Sequence, residues 1–257
     1  MLRFASLGSG SSGNCLVAET SGTLVMLDCG LTLTETERRL ARLGLEPSRV
    51  TAILLTHEHG DHADGAFTFA AAHGVTIYLT HGTLAAMKAD GRATDGVRLV
   101  IVNGRQSFFV DGMQVLPFTV PHDAREPVQF VLSDGAVKLG VITDAGIPTP
   151  HLQQSLSGLD ALVLECNYDH DMLWAGAYPR WLKERIGGPF GHLDNRDSER
   201  LLAGLDRSRL KHVIGAHLSQ QNNKPALARA ALARAMGCAE DWIGIATPED
   251  GFAWRQL

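Results

Sequence analysis

The sequence predicts a mixed α/β protein in which two β-sheets carry helices on their outer faces. Two observations point there. Short apolar or alternating runs of strand length recur along the whole chain, and helical segments with recognisable start and stop signals lie between them. No linker of low complexity and no repeat of solenoid length interrupts the pattern, so residues 1–257 read as one domain.

The strand-like runs come in order at residues 2–7, 15–18, 23–27, 52–55, 75–79, 97–102, 106–110 and 113–120. After a gap they resume at 128–132, 137–142, 161–166, 212–216 and 252–255. Asp111-Gly112, Asp134-Gly135 and Asp250-Gly251 lie between or before such runs and read as hairpin turns, which suggests largely antiparallel pairing. Thr34-x-x-Glu37 reads as a capping box opening a helix over 34–43 that Gly44 closes. Further helices are expected over 64–73 (stopped by Gly74), 82–89, 197–205 and the alanine-rich 225–236.

Composition sets broad limits. In 257 residues, 45% apolar and 20% charged, there is enough chain to bury a large core. A formal charge of −5 argues against a surface that coats nucleic acid by bulk positive charge, but leaves room for a phosphate site organised by metal. Cys15, Cys29, Cys166 and Cys238 are scattered without a C-x-x-C pair, so they are expected to be reduced and mostly buried. The amino terminus runs straight into a strand-like segment, and no apolar stretch approaches membrane-spanning length. A cytoplasmic protein without membrane association is expected.

The chemistry is concentrated in His57-Glu58-His59-Gly60-Asp61-His62, directly after the apolar run 52–55. Such a density of imidazoles and carboxylates is costly to bury unless the groups are paired or metal-bound. Strand alternation would send His57, His59 and Asp61 to one side, and a turn at Gly60 would swing Asp61 and His62 toward a second ion. The spacing suits two metals better than a closed single-zinc centre. Later strand-like runs end in further ligand types: His122 after 113–120, Asp144 after 137–142 and His217 at the end of 212–216. The expected division is His57, His59 and His122 on one ion, Asp61, His62 and His217 on the other, with Asp144 bridging.

The His57–His62 run resembles the H-x-H-x-D-H signature of the metallo-β-lactamase superfamily, and His122, Asp144 and His217 follow in the order that superfamily uses. The resemblance implies the four-layered αββα sandwich and a dinuclear hydrolase. It also implies that Asp28 supports the histidine loop by hydrogen bonding rather than ligating metal. Leu7-Gly8-Ser9-Gly10-Ser11-Ser12-Gly13-Asn14-Cys15, Glu165-Cys166-Asn167-Tyr168-Asp169, Gly191-His192-Leu193-Asp194-Asn195 and 216–223 further resemble the YycJ/WalJ-type, exonuclease-like branch, over about residues 3–225. Asp194 departs from the serine of that pattern.

This resemblance implies hydrolysis of phosphodiester bonds in DNA or RNA from a 5′ end, by a hydroxide shared between two divalent ions. Zinc fits the mixed His/Asp donors best, and manganese or iron(II) is also admissible. Asp61 is assigned to orienting the nucleophile as well as ligating, and His192 to protonating the leaving group. Ser9, Ser11, Ser12 and Asn14 in the glycine/serine loop are candidates for substrate binding, or simply for a flexible turn. A small-molecule (cyclic) phosphodiesterase is the alternative reading. A thioesterase or lactonase of the same fold fits the His192 block less well.

Overall fold

The computed structural model describes all residues, 1–257, as two seven-stranded sheets packed face to face with helices outside both. In chain order the strands and helices are β1 (Arg3–Gly8), β2 (Cys15–Thr20), β3 (Thr23–Leu27), α1 (Leu33–Arg42), β4 (Ala52–Leu54), α2 (Gly60–Ala63), α3 (Ala66–His73), β5 (Thr76–Thr80), α4 (His81–Ala89) and β6 (Leu99–Val102). Then come β7 (Phe108–Val110), β8 (Met113–Thr119), β9 (Val128–Ser133), β10 (Lys138–Ile142), α5 (Pro150–Ser155), β11 (Ala161–Glu165), α6 (His170–Ala175), α7 (Arg180–Ile186), α8 (Asn195–Ala203), β12 (His212–Ala216), α9 (Pro225–Met236), β13 (Gly244–Ile245) and β14 (Phe252–Gln256). The first sheet runs β14-β1-β2-β3-β4-β5-β6 and the second β13-β12-β11-β10-β9-β8-β7.

Three apolar layers hold this stack together. Phe4, Val25, Leu54, Phe130, Val163 and Ile214 lie between the sheets. Met26, Ile53 and Ile77 face Leu40, Phe69 and Met87 of α1, α3 and α4. Ile142, Leu162 and Val213 face Leu152, Leu201 and Leu232 of α5, α8 and α9. Within β3, Val25 and Leu27 belong to the inner layer while Leu24 and Met26 belong to the outer one. Both faces of the strand are therefore buried, which is why the run is apolar throughout instead of alternating.

The expectation of largely antiparallel pairing needs correcting. The strands β14, β1, β2 and β3 pair antiparallel, but β3, β4, β5 and β6 pair parallel. The second sheet repeats this, antiparallel from β7 to β10 and parallel from β10 to β13. Parallel neighbours need crossover connections, and the helices supply them. The consequence matters for the site: parallel strands deliver their carboxyl ends to one edge of the sandwich, where ligand-bearing loops gather.

Local chemistry also shifts some boundaries. The helix is capped by Thr32, two residues earlier than expected, its hydroxyl accepting from the Glu35 N–H, while the Glu35 carboxylate turns to Arg38 and Arg39 instead of closing a capping box. Both threonines have a glutamate three residues on, so spacing alone did not separate them. The expected 64–73 helix is α3, starting two residues later at Ala66, and α2, α5, α6, α7 and β13 are additional elements. No helix is long and apolar enough to cross a membrane.

Cys15, Cys29 and Cys166 are buried, Cys238 is partly exposed, and none is bridged. Burial pushes the Cys166 thiol up to about 12. A disulfide reagent should therefore titrate one thiol, Cys238, in the native protein and all four in denaturant. More than one rapid native equivalent would contradict this packing.

Candidate metal centre

The histidine loop does not continue β4 as a strand. The strand stops at Leu54, His59 sits at the amino-terminal boundary of α2, and Asp61 and His62 ride on that helical turn. The geometry expected from alternation is thus replaced by a strand-end loop and a turn of helix, which still aim His57, His59, Asp61 and His62 at one cleft. Glu58 turns aside and accepts the Arg125 N–H at 2.7 Å.

Asp28, Asp144 and His217 follow β3, β10 and β12, and all three have positive φ, at 59°, 55° and 56°. Backbone strain of this kind persists where surrounding structure over-determines it, commonly at functional sites. A close backbone approach fixes the floor. The N–H groups of Cys29 and Asn14 donate to the carbonyls of His62 and Asp61, at 2.8 and 2.7 Å. Gly30 permits this, because a Cβ there would overlap the Asp61 carbonyl.

The donor atoms form overlapping groups, each held within 4.8 Å: His57, His59 and His122; Asp61, His62 and His217; and His57, His62 and Asp144. Asp144 also joins Glu165, His192 and His217. Its carboxylate lies 2.9 Å from His62 Nε2, 3.6 Å from His217 Nε2 and 3.9 Å from His122 Nε2, between the two histidine sets. Asp61 Oδ2 lies 3.2 Å from His217 Nε2.

Each inner nitrogen is aimed by what holds the outer one. His62 Nδ1 donates to Asp28 at 2.7 Å, and His122 Nδ1 donates to the Gly191 carbonyl at 3.0 Å. His57 Nδ1 meets the Thr56 hydroxyl at 2.9 Å, which in turn donates to Asp28 at 3.0 Å. The inner nitrogens then present lone pairs. His57 Nε2 is buried with no partner, and His122 Nε2 faces His59 Nδ1 at 3.2 Å. Asp144 Oδ2 lies 2.9 Å from His62 Nε2 and has no other polar partner. Converging unpaired donors with anchored outer nitrogens fit a divalent cation.

The electrostatics agree. Burial opposes charge throughout the cluster, yet Asp144 and its neighbouring carboxylates push His62 well above the usual histidine range. Against the same burial, Asp144 and Asp61 raise His217 to about 10. Burial would raise Asp144, but His217 and His62 hold it well below the carboxylate range. His57, further from the carboxylates, is pushed down by burial. The carboxylates therefore demand positive charge, which protons supply on His62 and His217 and a cation can supply instead.

His192 stands at the edge of the cluster, its Nδ1 2.7 Å from Glu165 Oε1 and 3.4 Å from Asp144. Burial lowers its basicity, but Glu165 outweighs burial and raises it. A carboxylate only accepts, so Nδ1 carries the proton and Nε2 is left for a ligand. Glu165 itself was missing from the sequence-derived set. It is fully buried at the end of β11 and also receives the N–H groups of Ala145 and Leu193, at 2.9 and 3.2 Å. The signal was present: a lone acid closing a continuous apolar run, as with the other strand-end groups.

The glycine/serine loop lies partly inside the centre. Ser9 is buried and its hydroxyl accepts the His217 N–H at 2.8 Å. Asn14 is buried, with Nδ2 3.2 Å from Asp61 Oδ2 and 3.1 Å from His62 Nε2. Both brace the ligand loops, whereas Ser11 and Ser12 lie exposed on the turn. Asn223 bonds Asn195 and the Cys166 carbonyl, tying α8 to β11. Asp194 caps α8, accepting the Asp197 N–H at 2.6 Å. Serine does the same work, so Asp194→Ser should change stability by less than about 0.5 kcal/mol, and Asp194→Ala should cost about 1 kcal/mol in urea unfolding. Equal losses in the two variants would refute a purely capping role.

Comparison with known proteins agrees with this fold. The model of the Beta-lactamase superfamily domain matches residues 23–217. The chain belongs to that superfamily, with a buried His/Asp cluster of the kind that binds divalent metal. Exodeoxyribonuclease YycJ of Bacillus anthracis is 34% identical over 236 residues, covering 91% of this chain and 89% of that protein. Exodeoxyribonuclease WalJ of Streptococcus pneumoniae is 29% identical over 246 residues, covering 95% and 91%. Within the superfamily this is therefore a YycJ-type protein. The crystal structure of YhfI from Bacillus subtilis, a metallo-beta-lactamase fold protein, shares the architecture, with a TM-score of 0.78 at 13% identity over the full length of both chains.

Proposed function

We propose that the protein is a two-metal phosphodiesterase that removes nucleotides from the ends of DNA, as the names of its YycJ and WalJ relatives indicate for those proteins. The observation that supports this reading is the position of the Asp144 carboxylate, 2.9 to 3.9 Å from His62, His217 and His122 and beside His192. His57, His59 and His122 would hold one ion, Asp61, His62 and His217 the other, with Asp144 common to both. The imidazole-rich donors favour zinc, and the carboxylates also accept manganese or iron(II).

Bound divalent cations would supply Lewis-acid charge against the phosphate oxygens and make water acidic enough to attack near neutral pH. The rest of the work belongs to the side chains. Asp61, aimed by Asn14 and His217, orients the attacking water. Asp28 and Thr56 keep His62 and His57 in the tautomers that leave their inner nitrogens free. His192, its Nδ1 held by Glu165, offers a proton from Nε2 to the departing oxygen.

The test is an activity panel on metal-loaded protein: 5′-phosphorylated single- and double-stranded DNA, RNA, cyclic nucleotides, bis(p-nitrophenyl) phosphate and a thioester. A ladder of shortened DNA products supports the reading. Hydrolysis confined to small or cyclic diesters would replace it with a small-molecule phosphodiesterase, and hydrolysis of the thioester alone would overturn phosphodiester chemistry.

A further inference from the structure

A cavity of about 490 Å³ opens where the two sheets end in β13 and β14. Its volume falls in the range of small-molecule sites. Arg229 reaches it from α9, Lys211 and His212 from the start of β12, and Arg255 from β14. Asp241 and Trp242 line it from the single turn Glu240–Trp242. None of the metal-cleft residues does. With a rise of about 3.3 Å per residue along β12, His212 lies about 16 Å from His217 at the cleft.

The charge around this cavity is lopsided. Lys211, Arg229 and Arg255 line it against one carboxylate, Asp241, and none of the three cations is in an ion pair. Arg229 donates from Nε to the Ile243 carbonyl at 3.2 Å, which steadies the guanidinium and leaves its terminal nitrogens for a ligand. The nearby Arg209 and Arg234 are paired, with Asp160 and Glu199, so the unneutralised charge gathers in the cavity. This happens in a chain of net charge −5. Trp242, on the same wall, is 40% exposed, a large indole that the fold leaves uncovered.

We propose that this cavity binds a nucleotide as a free small molecule. Lys211, Arg229 and Arg255 hold its phosphates, Trp242 stacks on its base, and Asp241 accepts from the ribose hydroxyls. Guanidinium groups without carboxylate partners match phosphate oxygens, and an indole offers a flat ring a stacking face. Three cations gathered in one cavity suit a compact anion, whereas a nucleic-acid strand needs a row of cations that continues along the surface. The site is separate from the metal cleft and stands whether or not the phosphodiesterase reading does.

The test titrates ADP into metal-loaded protein by calorimetry and follows the unfolding midpoint with and without ADP. Saturable binding and a raised midpoint are expected in the wild type. The double variant Arg229→Ala/Arg255→Ala should raise Kd about tenfold or more and abolish the ADP-dependent rise, while its midpoint without ADP shows that the fold is intact. Trp242→Ala should raise Kd roughly tenfold. Arg209→Ala, which removes a paired cation outside the cavity, should leave Kd unchanged. The proposal is overturned if ADP does not bind at millimolar concentration, or if its binding is insensitive to the cavity substitutions. Pyrophosphate bound as tightly as ADP, with no effect of Trp242→Ala, would overturn the nucleotide assignment. An oligo(dT) strand that displaces ADP and binds more tightly would overturn the small-molecule occupant.

Discussion

Replacing Asp144 with asparagine is expected to strip at least one metal ion and to lower turnover about a thousandfold, on the scale of several kcal/mol of lost Lewis-acid stabilisation. Asp144 is the carboxylate that both histidine sets approach, and it is fully enclosed among His62, His122, His192 and His217. Asparagine keeps the shape but removes the charge, so the surrounding imidazoles lose the group that draws positive charge into the centre. Metal analysis by mass spectrometry, alongside turnover of an oligonucleotide, checks this. A variant with unchanged metal content and activity within tenfold of wild type would show that Asp144 is not shared.

His192→Ala should behave differently: full metal content, with turnover reduced about 100- to 10,000-fold, the range for loss of a positioned general acid. The pH profile gives a more specific signature. Glu165 raises the basicity of His192, so the proton-donating form is present below that raised value and is lost as pH rises through it. Wild-type turnover should therefore fall on the alkaline side, and His192→Ala should lack that limb. Glu165→Gln should keep the limb but move it to lower pH, with a smaller loss of about 10- to 100-fold. Full activity of His192→Ala would remove the general-acid role altogether.

Much of this was legible in the sequence, for a physical reason. Buried titratable groups are expensive, so a His or Asp closing an apolar run draws attention at once, and that pattern pointed to His57, His122, Asp144 and His217. The structure brings these together with His59, Asp61, His62 and His192 around one cleft. Strand direction was less visible. Runs such as 52–55 and 161–166 are buried on both faces, so they carry no alternation, and only the helical spacing between them hints at parallel pairing. Glu165 ends the apolar run of β11, but nothing in that run reveals that it is buried against His192. The bracing roles of Ser9 and Asn14 depend on contacts to residues 208 and 47 positions away, which local chemistry does not encode.

A crystal structure of the metal-loaded protein, with data collected at the metal absorption edge, bears most directly on the two-ion arrangement. Two anomalous peaks are expected, one bounded by His57, His59 and His122 and the other by Asp61, His62 and His217, with Asp144 reaching both. A fully loaded crystal with no peak in this cleft, or with a single peak that leaves one histidine set unliganded, would contradict it.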